Sequence, residues 1–435
     1  MIQVFLLVLG ARLVRRRWWV LALTGALWLT LGLLFFADAF IDEIRIPPTF
    51  FALPLLIDGS ASLVTFLGGI GGTRPLRLAK GLVFLVIGLL LIDAPWHSDM
   101  IIGFLVGGFL IADATLRGVS AVVVRFSGWR MSLVAAGVEF LLGLWSLVPW
   151  PTQWQAEVGA DVGQLIMVSG FGICALALRI RHLPEDMPIS TILSRGWPRM
   201  DWSNALQSGA TAADGQPMEE TERDTVIVHV WTPTGHMVSL NHGVSRYIAA
   251  RDEKGIISTG HAALELPPDV YISHYPGQEI DRSPSDFSRV LRATSDNDVS
   301  GVFQPSYVQE SADWCPSTFE VRLAGLNGAA VREFWTQYRC DTTYNLTNRN
   351  CSSVVAKALD AGVEGVFEEQ ARSFLFVLRL AFSVELWIAG MLRHRAGAMA
   401  WTPGLVLDYA RALSVLIGPP RLGPVRTDVG VARHR

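Results

Sequence analysis

The residues able to do nucleophilic chemistry gather in the C-terminal half of the chain. Cys351 follows a polar run, YNLTNRNC (344–351), and opens the segment CSSVVAKALDAG (351–362). Within it Val354, Val355, Ala358 and Leu359 recur at i, i+1, i+4 and i+5, one apolar face of a helix. Asn350 suits an N-cap and Gly362 a terminator. A thiol in a first helical turn faces unpaired backbone N–H groups and the positive end of the helix dipole, which favours the thiolate. Such a nucleophile needs a base, normally histidine, oriented by a third group. His261 begins the strand pattern HAALEL (261–266), and His274 lies in the following VYISHY (270–275). Adjacent antiparallel strands can bring two side chains together on one face. Cys351 is therefore read as nucleophile, His261 as general base and His274 as the third polar member. Packing of a core thiol and core histidines is the competing reading.

The elements that must position these residues form an expected α+β domain over 223–366. TVIVHVWT (225–232) alternates and is rich in β-branched residues, as a strand requires. HAALEL and VYISHY form a hairpin around Pro267, Pro268 and Asp269, STFEVRL (317–323) is a further strand, and 325–339 and 351–361 are helical. His229, His236 and His242 lie upstream without HExxH or CxxC spacing, so no metal or cofactor is expected. Cys315 and Cys340 read as packing or exposed thiols. Residues 183–222, rich in proline and polar residues, read as a linker, with Trp197 and Trp202 at the membrane interface.

The N-terminal 1–182 is of another character. Apolar segments at 18–37, 49–70, 77–93, 100–120, 131–149 and 160–179 approach or reach the roughly 20 residues a membrane span needs. Their flanking charges alternate. Arg12, Arg15, Arg16 and Arg17 precede the first segment, and Asp42 and Glu43 follow it. Arg74, Arg77 and Lys80 follow the second, Asp93 and Asp99 the third. Arg117, Arg125 and Arg130 come next, then Glu157 and Asp161, then Arg179 and Arg181. The positive-inside rule puts both ends of this half in the cytoplasm. No cleavable signal peptide is expected. Gly32, Gly88 and Gly143 mark a repeat of about 55 residues, with Asp58, Asp113 and Ser169 in register, so the unit is a helical hairpin used three times. Asp58 and Asp113 are read as polar glue between helices, with no basic partner in the spans; an intramembrane proton or ion site is the alternative. Residues 367–420 hold two further apolar segments, 373–392 and 398–417, read as amphipathic helices on the membrane or against the soluble domain, with a paired span and return as the alternative.

Hydrophobic residues make up 51% and charged residues 17% of the 435, a bias toward membrane, while a net charge of −3 excludes an electrostatic case for nucleic acid. The glycine-marked repeat, hydropathy and loop charges of 1–182 resemble the acid-resistance membrane protein HdeD family, implying six spans in three hairpins and a link to acid stress. GHAALEL…YISHYPG followed by YNLTNRNCSSVV is similar to the circularly permuted branch of the NlpC/P60 papain-like superfamily, and most nearly to lecithin:retinol acyltransferase-like proteins. That resemblance, over about 255–360, implies a papain-like fold with Cys351 as nucleophile, His261 as base and His274 as third residue. The expectation is an all-α six-span inner-membrane bundle carrying a cytoplasmic α+β papain-like domain and C-terminal apolar helices. Its activity would be that of a cysteine peptidase or amidase working through a thioester. The alternatives are a thiol enzyme acting on lipid acyl groups and a non-catalytic protein of acid or envelope stress. The expected partners are the bilayer and a peptide, amide or lipid substrate; a homo-oligomer stays open.

Overall fold

The computed structural model describes residues 1–38, 52, 56–57, 59–60, 63, 74–93, 95–126, 128–148, 154–183, 187–190, 224–232, 250–251, 257–258, 260–278, 280, 287–398 and 400–418. Most of the expected span 49–70, including Asp58, lies outside the described residues. So do most of the linker, Trp197, Trp202, His236 and His242.

Two compact units divide the chain. One comprises Met1–Leu23, Leu110–Leu141 and Cys174–Ile417; the other contains Thr24–Phe109 and Leu142–Ile173. The N-terminal helices are α1 (Ile2–Leu9) and α2 (Ala11–Arg16). Long helices follow: α3 (Trp18–Asp38), α4 (Arg74–Asp93), α5 (Pro95–Val124), α6 (Trp129–Ser146) and α7 (Trp154–Arg181). Among the described residues, Trp18–Ala37, Val106–Val124 and Gly159–Arg181 are single helices long and apolar enough to cross a membrane, with mean hydropathies of 2.1, 1.5 and 1.7.

The repeat-marking glycines sit where helices cross closely. A Cβ on Gly32 would lie 2.8 Å from the Gly163 carbonyl oxygen, and one on Gly88 2.8 Å from the Leu56 side chain. Across from Gly143, a Cβ on Gly107 would lie 2.8 Å from the Gly143 carbonyl oxygen. Small residues let backbones approach where lipid provides no hydrophobic drive for helix association. Asp113 does have a basic partner within its own helix, which corrects the sequence reading. Arg117, one turn on, donates to Asp113 at 2.7 Å and lies 3.4 Å from Glu139 of α6.

The C-terminal half is built on an antiparallel sheet. Its strands are β1 (Asp224–Trp231), β2 (His261–Leu266), β3 (Val270–Ile272) and, later in the chain, β6 (Phe319–Leu326), in the order β3-β2-β1-β6. A second sheet orders β4 (His274–Pro276), β5 (Val299–Phe303) and β7 (Thr343–Tyr344) as β4-β5-β7. The expected strand 270–275 is thus two strands: the chain changes sheets at Ser273. Between β5 and β6 lies α8 (Tyr307–Asp313), capped by Ser306, whose side chain accepts from the Gln309 N–H. Helices α9 (Gly328–Tyr338) and α10 (Cys351–Val363) follow. The apolar face of α10 expected from spacing is buried: Val354, Val355 and Ala358 have no exposed surface and Leu359 has 1%. Each such side chain contributes about 1.5–3 kcal/mol on burial. Gly362 does not end this helix. It packs against Leu326 and Val331, and the helix runs to Val363, with left-handed Gly365 following the Glu364 cap.

The tail forms α11 (Phe374–Ala381), α12 (Val384–Ala398) and α13 (Pro403–Ile417). The expected helix 373–392 is broken, with a bend of 56°. The apolar face of α13 is buried in the same core as the sheet, with Val406, Leu407, Tyr409 and Leu413 fully enclosed. Helix α1 joins that core too. Leu7 and Val8 carbonyls accept from the Gly365 and Phe367 N–H groups. One buried cluster ties these helices together. Asp360 on α10 accepts from Arg393 on α12 at 2.8 Å and 3.0 Å and from the Tyr409 hydroxyl on α13 at 2.6 Å. Arg393 also donates to Gln3 of α1 at 2.6 Å. Removing one partner strands a buried charge, at a cost of about 3–5 kcal/mol. Asp360→Ala is therefore expected to lower the thermal unfolding midpoint of the detergent-solubilised protein markedly. An unchanged midpoint would contradict this account of the cluster.

Candidate functional site

Cys351 occupies the first turn of α10, and a capping box fixes that turn. Asn350 Oδ1 accepts from the Ser353 N–H at 2.7 Å, and Ser353 Oγ accepts from the Asn350 N–H at 2.8 Å. The Asn350 amide also donates to the Leu346 and Trp401 carbonyls. The preceding loop is held by Arg349, which lies over the Tyr338 ring at 4.1 Å and donates to the Tyr338, Asp341 and Thr343 carbonyls. Ser352 places its hydroxyl 3.8 Å from the Cys351 sulfur. The two serines after the cysteine are therefore a neighbour of the thiol and a cap.

His261 stands at the start of β2. Helix α10 packs against β2, and hydrogen bonding and charge couple Cys351 to His261. His261 Nε2 lies 2.9 Å from Ser273 Oγ and 3.2 Å from Glu310 Oε1. Glu310 comes from α8. Its Oε2 accepts from the Tyr271 hydroxyl and its Oε1 from the Tyr275 hydroxyl, each at 2.7 Å. The Tyr275 ring also stacks on His261, centroids 4.0 Å apart and 18° from parallel.

These groups are buried, with Cys351 8%, His261 2% and Glu310 3% exposed. Burial alone would favour their neutral forms, but mutual charge and hydrogen bonding reverse that tendency. For His261, desolvation is outweighed by Cys351 and Glu310, and its pKa rises to about 9. For Glu310, desolvation is outweighed by His261 and the two tyrosines, and its pKa falls to about 2. Against its own desolvation, the Cys351 thiol is lowered by the His261 charge and hydrogen bond, and by a backbone hydrogen bond at Ala262. Burial and the Glu310 carboxylate push both tyrosines well above their ordinary values, so they remain hydrogen-bond donors. The arrangement is a thiol of lowered pKa coupled to an imidazole of raised pKa, with a carboxylate at the ring's Nε2.

His274 lies elsewhere. It belongs to the second sheet, with Nδ1 3.1 Å from the Tyr338 hydroxyl and Nε2 3.4 Å from the Thr342 carbonyl oxygen. Burial lowers its pKa to about 4, so it is neutral. Register explains the difference. The β2–β3 pairing ends at Leu264 and Ile272, and His274 pairs instead with Phe303 in the second sheet. Successive side chains of a strand point to opposite faces. The carboxylate in the third position is Glu310. Its short helix has no long apolar period, and nothing in SYVQESAD (306–313) distinguishes it from a solvated turn. His229 supports the site from behind: Nε2 lies 3.1 Å from Glu265 Oε2, and the ring stacks at 3.8 Å on Tyr307 of α8.

Residues 301–379 match the family model of the IcsB middle domain. The match covers less than a fifth of the chain and includes Glu310 and Cys351 but not His261. No curated protein and no solved structure matches the chain.

The ion pair sets the pH dependence of Cys351. Thiolate forms below the ordinary thiol range and persists as pH rises, while its imidazolium partner is lost near pH 9. Alkylation of Cys351 by iodoacetamide, followed by peptide mass spectrometry, is expected to have its midpoint below the usual thiol value of about 8.5. Glu310→Gln should raise that midpoint by about one unit, so alkylation on the acid side slows roughly tenfold. His274→Gln should leave the profile in place.

Proposed function

We propose that this chain is a membrane-embedded thiol acyl hydrolase of the peptidase or amidase class, acting through a thioester on Cys351. The observation that carries the reading is the buried alignment of Cys351, His261 and Glu310. His261 takes the thiol proton, and the sulfur attacks a carbonyl carbon to form a C–S bond. The backbone N–H of Cys351, at the start of α10, suits the developing oxyanion. Collapse breaks the bond to the leaving group, which takes the proton from His261. Water, deprotonated by His261, then cleaves the thioester, giving the acid and restoring the thiol. Glu310 acts through His261, keeping the imidazolium stable and its ring oriented.

In this reading 1–182 forms six spans in three hairpins, as in the HdeD family. The chain then lies in the inner membrane with the thiol domain at the cytoplasmic face. Support comes from the three span-length helices, the equivalent glycine crossings and the loop charges. The thiol domain is of the permuted papain-like type, supported by a histidine strand that precedes the cysteine helix. A second reading, in which the substrate is a lipid acyl group, draws on α11 and its neighbourhood. Phe374, Leu375 and Phe382 are 76%, 75% and 61% exposed, a surface suited to lipid.

The full-length protein in detergent, incubated with a p-nitrophenyl ester, is expected to gain one acyl group on Cys351. Cys351→Ala should abolish the adduct, and His261→Ala should slow its formation by about 10⁴-fold or more. Product release from peptide substrates but not phospholipid vesicles would favour the first reading; the reverse would favour the second. Stoichiometric acylation that persists in Cys351→Ala would overturn both.

A further inference from the structure

A cavity of about 940 Å³ opens beside the C-terminal half of α10, away from the helix start that carries Cys351. Cations from three parts of the chain line it, Arg15 also donating to the Met187 carbonyl and Lys357 to the Asn348 carbonyl. Arg12, Arg15 and Arg16 come from α2, Arg181 ends α7, and Lys357 comes from α10. Several of the lining carboxylates are already engaged. Asp360 is satisfied by Arg393 and Tyr409, and Glu364 accepts from the Ile189 N–H at 2.7 Å and the Ser190 N–H at 3.4 Å. Glu333 accepts from Gln337, and Glu368 also lines the wall.

The depth of this cavity follows from its walls. Trp18 is the first residue of the apolar stretch Trp18–Ala37, and Arg181 the last of Gly159–Arg181. The Arg181 guanidinium lies over the Trp18 ring at 4.8 Å. Tryptophan and arginine at the ends of apolar spans lie at the level of lipid headgroups. A basic pocket at that level suits an anionic headgroup, and guanidinium groups bind phosphate oxygens in bidentate fashion.

We propose that this cavity binds the phosphate-bearing headgroup of an anionic membrane phospholipid. Lys357 adds a charge that responds to the ligand. Burial and the nearby Arg349 hold its pKa at about 7, and an adjacent phosphate stabilises its ammonium form. The proposal rests on the apolar helices being membrane spans and is independent of the thiol chemistry. Lipid binding and Cys351 acylation can therefore fail separately.

The test uses the full-length protein in detergent and native mass spectrometry. Phosphatidylglycerol and phosphatidylcholine are supplied together, with and without excess inorganic phosphate. The protein is expected to retain phosphatidylglycerol roughly tenfold better, about 1.4 kcal/mol. Arg12→Gln/Arg16→Gln, two exposed positions, should bring the two lipids near parity, whereas Arg322→Gln on β6 should change nothing. Inorganic phosphate should not displace the lipid. Equal retention by the unaltered protein, a preference unaffected by the double variant, or full displacement by inorganic phosphate would overturn the proposal.

Discussion

An imidazolium can sit beside a thiol in a nearly dry site only if something offsets its desolvation, and here that is the Glu310 carboxylate. Removing an ion from water costs several kcal/mol even after relaxation, and a bare pair seldom recovers it. Glu310 is itself buried, so it needs compensation of its own. Two tyrosine hydroxyls and the His261 ring provide it. The order of dependence runs outward: Tyr271 and Tyr275 hold Glu310, Glu310 holds His261, and His261 lowers the pKa of the Cys351 thiol. The antiparallel hairpin supplies both tyrosines from the segment that follows the histidine strand. Ser306 starts the short helix that brings Glu310 to them.

The same logic of compensated polarity recurs away from the site. Asp360, Arg393 and Tyr409 join α10, α12 and α13, and Gln3 brings α1 into the group. The helix that presents Cys351 is thus anchored at one end by its capping box and near the other by this cluster. Fixing both ends limits rotation of the first turn, on which the direction of the sulfur depends. In the long helices, glycine crossings provide close packing and Arg117 accompanies the carboxylates Asp113 and Glu139.

Much of this was legible where a local rule operates. The Cys351 helix was readable from its cap and its apolar spacing, and the β2 strand from its composition. The glycine repeat pointed to positions that do become close crossings. Elsewhere a non-local constraint decided the outcome. The sheet change at Ser273 left His274 among Tyr338, Tyr344 and Phe303, because strand alternation counts faces and a sequence does not declare register. Glu310 was illegible for another reason. Its value lies in three partners distant in the chain, and a glutamate on a two-turn helix looks like any solvated residue. Gly362 resembled a stop signal, yet its small size serves the packing of Leu326 and Val331 instead.

The protonation state of His261 tests the central claim most directly. In full-length protein labelled with ¹⁵N-histidine, NMR across a pH series reads whether each ring nitrogen carries a proton. The account predicts a doubly protonated His261 ring at neutral pH, losing its proton near pH 9, with a lower midpoint in Cys351→Ala. A His261 ring that is neutral at pH 7, or that titrates at the ordinary value of about 6.5 with Cys351 intact, would contradict it.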